Sequence, residues 1–133
     1  MKKTKTIPKL KAEAWSLYAK IVKLKTAING NVKCYTCGSN MEYGTTNCQA
    51  GHYLSRGAYP GLTFHKDNSR PQCYRCNIHL HGNTVEFRHR LIDEIGLDRV
   101  VELEESRHIP VKLSRHDYLE MIEQFKEELS KIE

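Results

Sequence analysis

The chain has 133 residues, of which 39% are hydrophobic and 28% are charged, and its formal net charge is +5. This length is enough for one domain with a modest core and too short for two independent domains unless a metal stabilises them. Residues 1–33 hold nine lysines and a single acid, whereas residues 93–133 hold twelve acids and six basic residues. The basic first part favours a polyanionic partner, and the alternative is a lysine-rich surface that only confers solubility.

No apolar stretch approaches the length of a membrane span, and lysines interrupt the first thirty residues. Four of the five cysteines form two Cys-x-x-Cys pairs. This spacing favours thiolate ligands over disulfides and therefore a reducing compartment. We expect a soluble, cytoplasmic protein. Cys48 is outside the pairs and is expected to be a small buried or half-buried thiol, with help to a metal as the alternative.

A first amphipathic, basic helix is predicted over residues 9–29. Apolar residues recur along it at spacings of three and four, and the pattern ends at Asn29-Gly30. The lysines fall mostly off the apolar stripe, so the helix can pack through one side and present charge on the other. Trp15 and Tyr18 are expected to pack in the core or at its edge, with a role as platforms for stacked bases as the alternative.

Residues 31–72 contain turn residues at short intervals, which leaves room only for short strands. The best strand candidates are 50–54 and 69–72, and a brief helix is expected from Cys76. This part of the chain predicts a metal-stabilised hairpin.

Helical periodicity returns after Gly82-Asn83 and continues to residue 132. One helix is predicted to end at Gly96, and Leu97 to Ser106 form a second turn-and-helix unit. Ser114 and Asp117, three residues apart, resemble a capping box that opens the last helix.

The two Cys-x-x-Cys pairs predict a zinc site. Each turn can present two sulfurs to one ion, and two turns complete tetrahedral coordination. A closed site of four sulfurs has no open position for a substrate, so this zinc would be structural. The alternative is that one or both pairs are redox-active or merely buried thiols. The predicted ligands are Cys34, Cys37, Cys73 and Cys76.

Polar residues between and after the cysteine pairs stand in a characteristic order: His52, Asn68, Asn77 and His81. Four residues make about one helical turn, so Asn77 and His81 can face the same ion. This order resembles that of the HNH, or ββα-metal, nucleases. The resemblance implies that His52 is the general base, that Asn68 fixes its ring, and that Asn77 and the helix supply metal ligands.

A closer resemblance is carried by five sequence runs: K-C-Y-T-C-G, Q-A-G-H-Y, N-S-R-P-Q-C-Y-R-C-N, H-G-N-T-V-E-F-R and L-I-D-E-I-G. They look like the bacteriophage lambda NinG (Rap) recombination proteins, over about residues 10–131. That family implies a structure-specific endonuclease that acts on branched DNA, such as Holliday junctions and D-loops, in the bacterial host of a phage. The chain is expected to lack an N-terminal region of the lambda member, whose role is not transferred.

One position departs from the broader nuclease pattern. Many HNH enzymes place a metal-binding Asp or His directly before the basic histidine, where this chain has Gly51. With no side chain at Gly51, the ion is expected to be held by Asn77, His81 and DNA phosphate oxygens. Amide and phosphate oxygens favour Mg²⁺ or Mn²⁺, and the imidazole leaves room for softer ions as the alternative. His79 and Gln49 are further candidate ligands.

Basic side chains flank the motif residues and are candidates for phosphate contacts. Guanidinium groups suit bidentate phosphate binding, and such contacts position DNA without reading its bases. The alternative is that these side chains only solvate turns. The predicted DNA-binding residues are Arg56, Lys66, Arg70 and Arg75.

These patterns together predict a single α+β domain over residues 1–133. A small HNH core over 32–82, with its four-cysteine zinc site, is flanked by the basic helix and by C-terminal helices over 84–132. The predicted function is a metal-dependent endonuclease of branched or double-stranded DNA. Symmetric resolution of a four-way junction needs two active sites and so suggests a homodimer.

Two other functions remain open at the level of the sequence. One is a non-catalytic, zinc-dependent DNA-binding module of a recombination complex, for which Gly51 is the main argument. The other is a zinc-stabilised interaction domain whose acidic C-terminal helices bind a partner protein, such as another recombination protein.

Overall fold

The computed structural model describes residues 4–132, which fold into helices and two small antiparallel sheets. The mixed α+β class predicted from the sequence is confirmed. The elements in chain order are α1 (Ile7–Leu24), β1 (Asn31–Lys33), β2 (Asn40–Glu42), β3 (Cys48–His52), β4 (Ser69–Cys73), a π-helix (Arg75–His79), α2 (Thr84–Ile95), α3 (Leu97–Glu105) and α4 (Arg115–Ile132).

Helix α1 begins two residues before the predicted start and ends five residues before the predicted end. The Thr6 hydroxyl accepts a hydrogen bond from the Lys9 amide, which caps the first turn. At the other end a turn follows Lys25, and Ile28 forms an isolated backbone bridge with Asn31. Ile28 is 74% exposed. The apolar spacing therefore continued past the true end of the helix.

The two sheets are two-stranded hairpins. β1 pairs with β2, with Val32 opposite Met41. β3 pairs with β4 in a register that places Cys48 opposite Cys73 and His52 opposite Ser69. β3 starts and ends two residues earlier than predicted, whereas β4 differs from its prediction by one residue. The second hairpin thus joins β3, the strand that carries His52, to β4, which ends at Cys73 of the second cysteine pair.

Three buried clusters hold these elements together. The first lies around the cysteines and contains Val32 and Met41. The second packs α2 and α3 against the β3–β4 loop, and the third packs α1 against α4. The fully buried members of the second and third clusters, each at most 1% exposed, are Leu10, Ala14, Phe87, Leu91, Val100 and Leu103.

Acidic residues of α2 and α3 form ion pairs within the fold. Glu94 accepts hydrogen bonds from the Tyr35 hydroxyl at 2.6 Å and from Arg70 Nε at 3.0 Å. Glu104 accepts hydrogen bonds from Tyr53 and Arg88. Part of the acidic charge in the last third of the chain thus stabilises the packing of α2 and α3 on the central hairpins.

Helix α4 opens with the predicted capping box. The Asp117 amide donates to the Ser114 hydroxyl, and the Asp117 carboxylate accepts from the Ser114 amide at 2.8 Å. Among residues 4–132, no helix has the combination of length and apolar character that crossing a bilayer requires.

Candidate functional site

The four paired cysteines converge at one point. Cys34 and Cys37 lie in the turn after β1, Cys73 ends β4, and Cys76 lies in the π-helix. Their sulfurs are all within 4.8 Å of one another, and the Cys37 and Cys73 sulfurs are 3.8 Å apart. Tetrahedral zinc with Zn–S bonds of about 2.3 Å separates its sulfurs by about 3.8 Å. The predicted grouping is confirmed, and the cluster could hold a metal ion such as zinc.

Neighbouring polar groups orient these sulfurs. Gln72 donates to the Thr36 hydroxyl, which in turn lies 3.4 Å from the Cys34 sulfur. Burial raises the pKa of Cys34, but hydrogen bonds with Thr36 and the backbone outweigh it and bring the pKa to about 6. Asn83 donates towards the Cys76 sulfur at 3.7 Å. Such contacts fix thiolate orientation at metal sites.

A cleft of about 420 Å³ lies beside the cysteine cluster, between α1 and β3. It combines an imidazole, two amides, two cationic side chains and an indole. The residues that line it are Trp15, Ala19, Lys23, Thr45, Thr46, Cys48, Gln49, Ala50, His52, Arg56 and Asn77. The cleft therefore brings together three residues predicted from the sequence: the base His52, the metal ligand Asn77 and the phosphate contact Arg56.

His52 has a defined tautomer in this cleft. Its Nε2 lies 3.1 Å from the carbonyl oxygen of Thr63. Because a carbonyl oxygen only accepts hydrogen bonds, Nε2 carries the hydrogen and the neutral ring has its lone pair on Nδ1. Within residues 4–132, Nδ1 has no hydrogen-bond partner. Nδ1 is thus the nitrogen that can accept a proton.

The surroundings keep the His52 ring neutral. Burial lowers its pKa below the ordinary value of 6.5, and the charge of Arg56 acts in the same direction. The hydrogen bond to Thr63 opposes these effects without outweighing them. The ring also stacks on Trp15, with 4.9 Å between ring centroids and an angle of 22° between planes.

Asn68 does not contact the His52 ring, which corrects the expectation drawn from the nuclease resemblance. Its side chain is fully buried and binds the backbone of the β3–β4 loop: Oδ1 accepts from the Leu54 amide, and Nδ2 donates to the carbonyls of Leu54 and Leu62. Asn68 therefore holds the loop that carries Thr63, and Thr63 holds the ring.

Asn77 lies in the cleft, but its expected partnership with His81 does not form in the predicted way. The π-helix ends at His79, and His81 has a left-handed backbone with φ of 50°. The two residues are therefore not on one face of a regular α-helix. Neither His79 nor His81 lines the cleft, and the His79 ring packs against Tyr74.

Gln49 is the residue that orients Asn77. Asn77 Nδ2 donates to Gln49 Oε1 at 2.8 Å, and Gln49 Nε2 donates to the Thr46 carbonyl. This chain of hydrogen bonds leaves Asn77 Oδ1 as an oxygen available to a ligand in the cleft.

Gly51 is a glycine for a steric reason. A Cβ atom at this position would lie 1.8 Å from Gln72 Oε1. Gln72 is fully buried, and its Nε2 donates to Thr36 and to the Gly82 carbonyl. The amide of Gln72 thus occupies the space that a ligand side chain at residue 51 would need.

The predicted phosphate contacts separate into two groups. The guanidinium of Arg70 is bound to Glu94 and to the carbonyls of Lys66 and Ser69, and only 15% of the side chain is exposed. Arg70 is therefore a structural residue, which corrects its assignment to DNA binding. Lys66, Arg75 and Arg56 are exposed, and Arg56 alone of these lines the cleft.

Trp15 and Lys23 are the cleft residues that the sequence reasoning missed. Together with Ala19 they follow a four-residue spacing along α1, which places them on one stripe of the helix. The stripe of Leu10, Ala14 and Tyr18 is the one that packs in the core. The sequence offered one signal of a cleft here: the small residue Ala19 lies between two large side chains, Trp15 and Lys23, on the same stripe.

Comparison with known proteins identifies the family of this chain. All 133 residues match the model of the family described as "Bacteriophage Lambda NinG protein". Protein ninG of Escherichia phage lambda is 38% identical over 80 residues, which cover 59% of this chain and 37% of the relative. Protein ninG of Salmonella phage P22 is 40% identical over 76 residues, which cover 56% of this chain and 35% of the relative.

The matched region thus spans just over a third of the length of these curated relatives. No solved structure matches the chain. Because the family model covers the chain from end to end, the chain belongs to the bacteriophage lambda NinG protein family.

Proposed function

We propose that this NinG family member is a metal-dependent endonuclease that cleaves phosphodiester bonds in branched DNA, such as Holliday junctions and D-loops, during phage recombination. One observation carries the proposal: the cleft places a neutral imidazole with a free Nδ1 beside the amide of Asn77 and the cations of Lys23 and Arg56. Hydrolysis of a phosphodiester needs such a base and such positive charge.

His52 acts as the general base in this proposal. Its Nδ1 takes a proton from a water molecule, and the resulting hydroxide attacks phosphorus in line with the bond that breaks. Because Nε2 remains bonded to Thr63, the protonated ring is an imidazolium with one hydrogen bond already made. The displaced oxygen leaves on the opposite side of the phosphate.

Lys23 and Arg56 are proposed to bind the phosphate oxygens. Both side chains are basic and line the cleft, Lys23 from α1 and Arg56 from the loop after β3. Their charges would stabilise the negative charge that grows on phosphate. Lys66 and Arg75, which are exposed outside the cleft, are proposed to contact DNA further along its backbone.

A divalent ion, Mg²⁺ or Mn²⁺, is proposed at Asn77 Oδ1. Apart from the four cysteines, residues 4–132 contain no group of three or more His, Cys, Asp or Glu side chains placed to share an ion. Mg²⁺ commonly keeps several waters and binds substrate phosphates together with one or two carboxylates, and here the amide oxygen of Asn77 would take the place of a carboxylate. When bound, such an ion would neutralise charge on the scissile phosphate.

The four-cysteine cluster is proposed to hold a structural zinc ion. The donor set of four sulfurs within 4.8 Å fits zinc and leaves no open coordination position. The ion would join the β1–β2 turn to the end of β4 and the π-helix, which carries Asn77. A homodimer, with one cleft for each strand cut at a junction, is part of the same proposal.

A second candidate is a DNA-binding module without catalysis, acting in a recombination complex. The observation that favours it is Gly51, because Gln72 fills the space where a metal-binding side chain would stand. In that case the cleft would hold a phosphate without breaking its ester bond.

Cleavage of a synthetic four-way junction tests the proposal. The wild-type protein and His52→Ala are incubated with junction DNA and with Mg²⁺, Mn²⁺ or a chelator, and binding is measured in parallel. His116→Ala is the matched control, since the side chain of His116 is 79% exposed on α4. We expect metal-dependent nicking that falls by about 100-fold or more in His52→Ala, with binding unchanged. Equal binding without nicking by any variant would favour the non-catalytic module.

A further inference from the structure

The cleft contains an aromatic residue that no step of the proposed reaction uses. Trp15 projects from α1, and two functional side chains rest on its indole. The His52 ring stacks on it at 4.9 Å and 22°. The guanidinium carbon of Arg56 lies 4.6 Å from the centroid of the same ring.

These two contacts have different physical origins. The stack with His52 is a near-parallel aromatic contact, whereas the Arg56 contact is a cation–π interaction. An exposed arginine in water samples many rotamers, so a fixed ring beneath it reduces the entropy lost on binding phosphate. A stacked ring face and a hydrogen bond from Nε2 together restrict both side-chain torsions of His52.

The position of Trp15 is itself fixed by the fold. Helix α1 is held by α4 through Leu10 and Ala14, which pack with Tyr118 and Ile122, and through the Tyr18 ring, which packs against Phe125. Trp15 also packs edge-on against Phe64, the residue after Thr63. The indole therefore links α1, which carries it, to the loop that binds His52 Nε2.

We propose that Trp15 is a positioning residue that acts as a shared platform, orienting His52 Nδ1 and the Arg56 guanidinium towards the same point of the cleft. The role assigned to His52 and Arg56 rests on the proposed function, but the platform itself does not. It makes the N-terminal helix part of the site and not only part of the core.

The direct test is nuclear magnetic resonance of the histidine rings in the full chain. Wild type is compared with Trp15→Phe, which keeps an aromatic face, and with Trp15→Leu, which keeps bulk only; His52→Gln assigns the His52 signals among the seven histidines. We expect the indole to shift the His52 ring protons upfield in wild type. Most of this shift should remain in Trp15→Phe, and it should be absent in Trp15→Leu. Identical His52 shifts in folded wild type and Trp15→Leu would overturn the proposal.

The pH titration of the same signals gives a second readout. The charged and titratable groups that share the cleft with His52 are Lys23 from α1, Cys48 from β3 and Arg56 from the following loop. Leucine is smaller than tryptophan and offers no ring to hold Arg56, so the His52 ring gains solvent and loses the nearby guanidinium. The pKa of His52 should therefore rise towards 6.5 in Trp15→Leu and stay low in Trp15→Phe. A residue that only fills space would leave the two variants alike.

Tryptophan fluorescence keeps the proposal testable if Trp15→Leu does not fold. The chain has one tryptophan, and a stacked imidazolium quenches indole emission. Emission should fall as His52 takes up a proton in wild type, and this step should be absent in His52→Gln. Emission that follows the same pH curve in both proteins would refute the stack. Failure of the endonuclease would instead appear as no nicking by wild type, with these spectroscopic results unchanged.

Discussion

At the residue scale, the proposed chemistry depends on His52, whose Nε2 is fixed by the Thr63 carbonyl and whose ring stacks on Trp15. The imidazole and Asn77 were predicted to converge, and both line one cleft. The partner that fixes the ring was not predictable, because it is the backbone carbonyl of Thr63 and any residue type supplies one. The platform under the ring was missed for a related reason: Trp15 meets His52 only through the tertiary packing of α1.

The acid–base behaviour of His52 predicts a pH dependence of stability. Burial holds its folded pKa below 6.5, so the unfolded chain binds this proton more readily between the two values. The stability contributed by the neutral ring is complete above pH 6.5 and is lost as the pH falls through the folded value. The difference in unfolding free energy between wild type and His52→Gln should therefore shrink on acidification below 6.5. Urea denaturation at a series of pH values measures it, and a pH-independent difference would refute the buried neutral ring.

Gly51 gives a second prediction at the residue scale. Gly51→Ala forces a methyl group against the buried amide of Gln72, which is itself bonded on its other side to Thr36 and Gly82. We expect a loss of about 1–3 kcal/mol in the free energy of unfolding. Gly57→Ala is the matched control, because a Cβ there meets nothing within 4 Å. Equal stability of the two variants would show that Gln72 does not occupy this space.

At the scale of elements, the sequence predicted those helix limits that local side chains determine. The end of α2 at Ile95 before Gly96 and the start of α4 after Ser114 agree with their cap signals. The end of α1 did not follow its apolar spacing, because Ile28 belongs to the turn that leads into β1. The π-helix was expected only as a brief helix, and no residue pattern indicated its wider turn.

The capping box of α4 can be tested by itself. Ser114→Ala removes the hydroxyl that accepts from the Asp117 amide, and we expect the protein to lose about 1 kcal/mol of stability. Ser16→Ala on the exposed side of α1 is a suitable control, and it should leave stability nearly unchanged or slightly raised. Thermal unfolding followed by circular dichroism measures both. A Ser114→Ala protein as stable as Ser16→Ala would show that the box does not stabilise α4.

At the scale of the whole molecule, the cysteine cluster joins the turn after β1 to the end of β4 and to the π-helix. Cys34 and Cys37 come from the first hairpin, and Cys73 and Cys76 join the second hairpin to the π-helix. The spacing of the cysteines was sufficient to predict their convergence because each Cys-x-x-Cys turn is a local structure. The packing of α1 against α4, which holds the α1 wall of the cleft in place, depends on many weak apolar contacts and was not predictable in the same way.

Removal of the metal should therefore affect the whole fold. Native mass spectrometry should find one zinc ion per chain in wild type and in Cys48→Ala, whose thiol lies outside the cluster. Cys37→Ala should lose the ion and unfold at lower temperature, and a strong chelator should do the same to wild type. Retention of one zinc ion by Cys37→Ala at full thermal stability would contradict the proposed ligand set.

The proposed function requires a phosphodiester of the DNA to bind in the cleft between α1 and β3. The decisive measurement is a crystal structure of the protein with uncleaved junction DNA and Mn²⁺, in which the anomalous signal locates the ions. We predict a phosphate between Lys23 and Arg56, a water joining it to His52 Nδ1, and manganese at Asn77 apart from the cysteine-bound zinc. DNA bound only to the outer lysines of α1, with no phosphate near His52, would contradict the account.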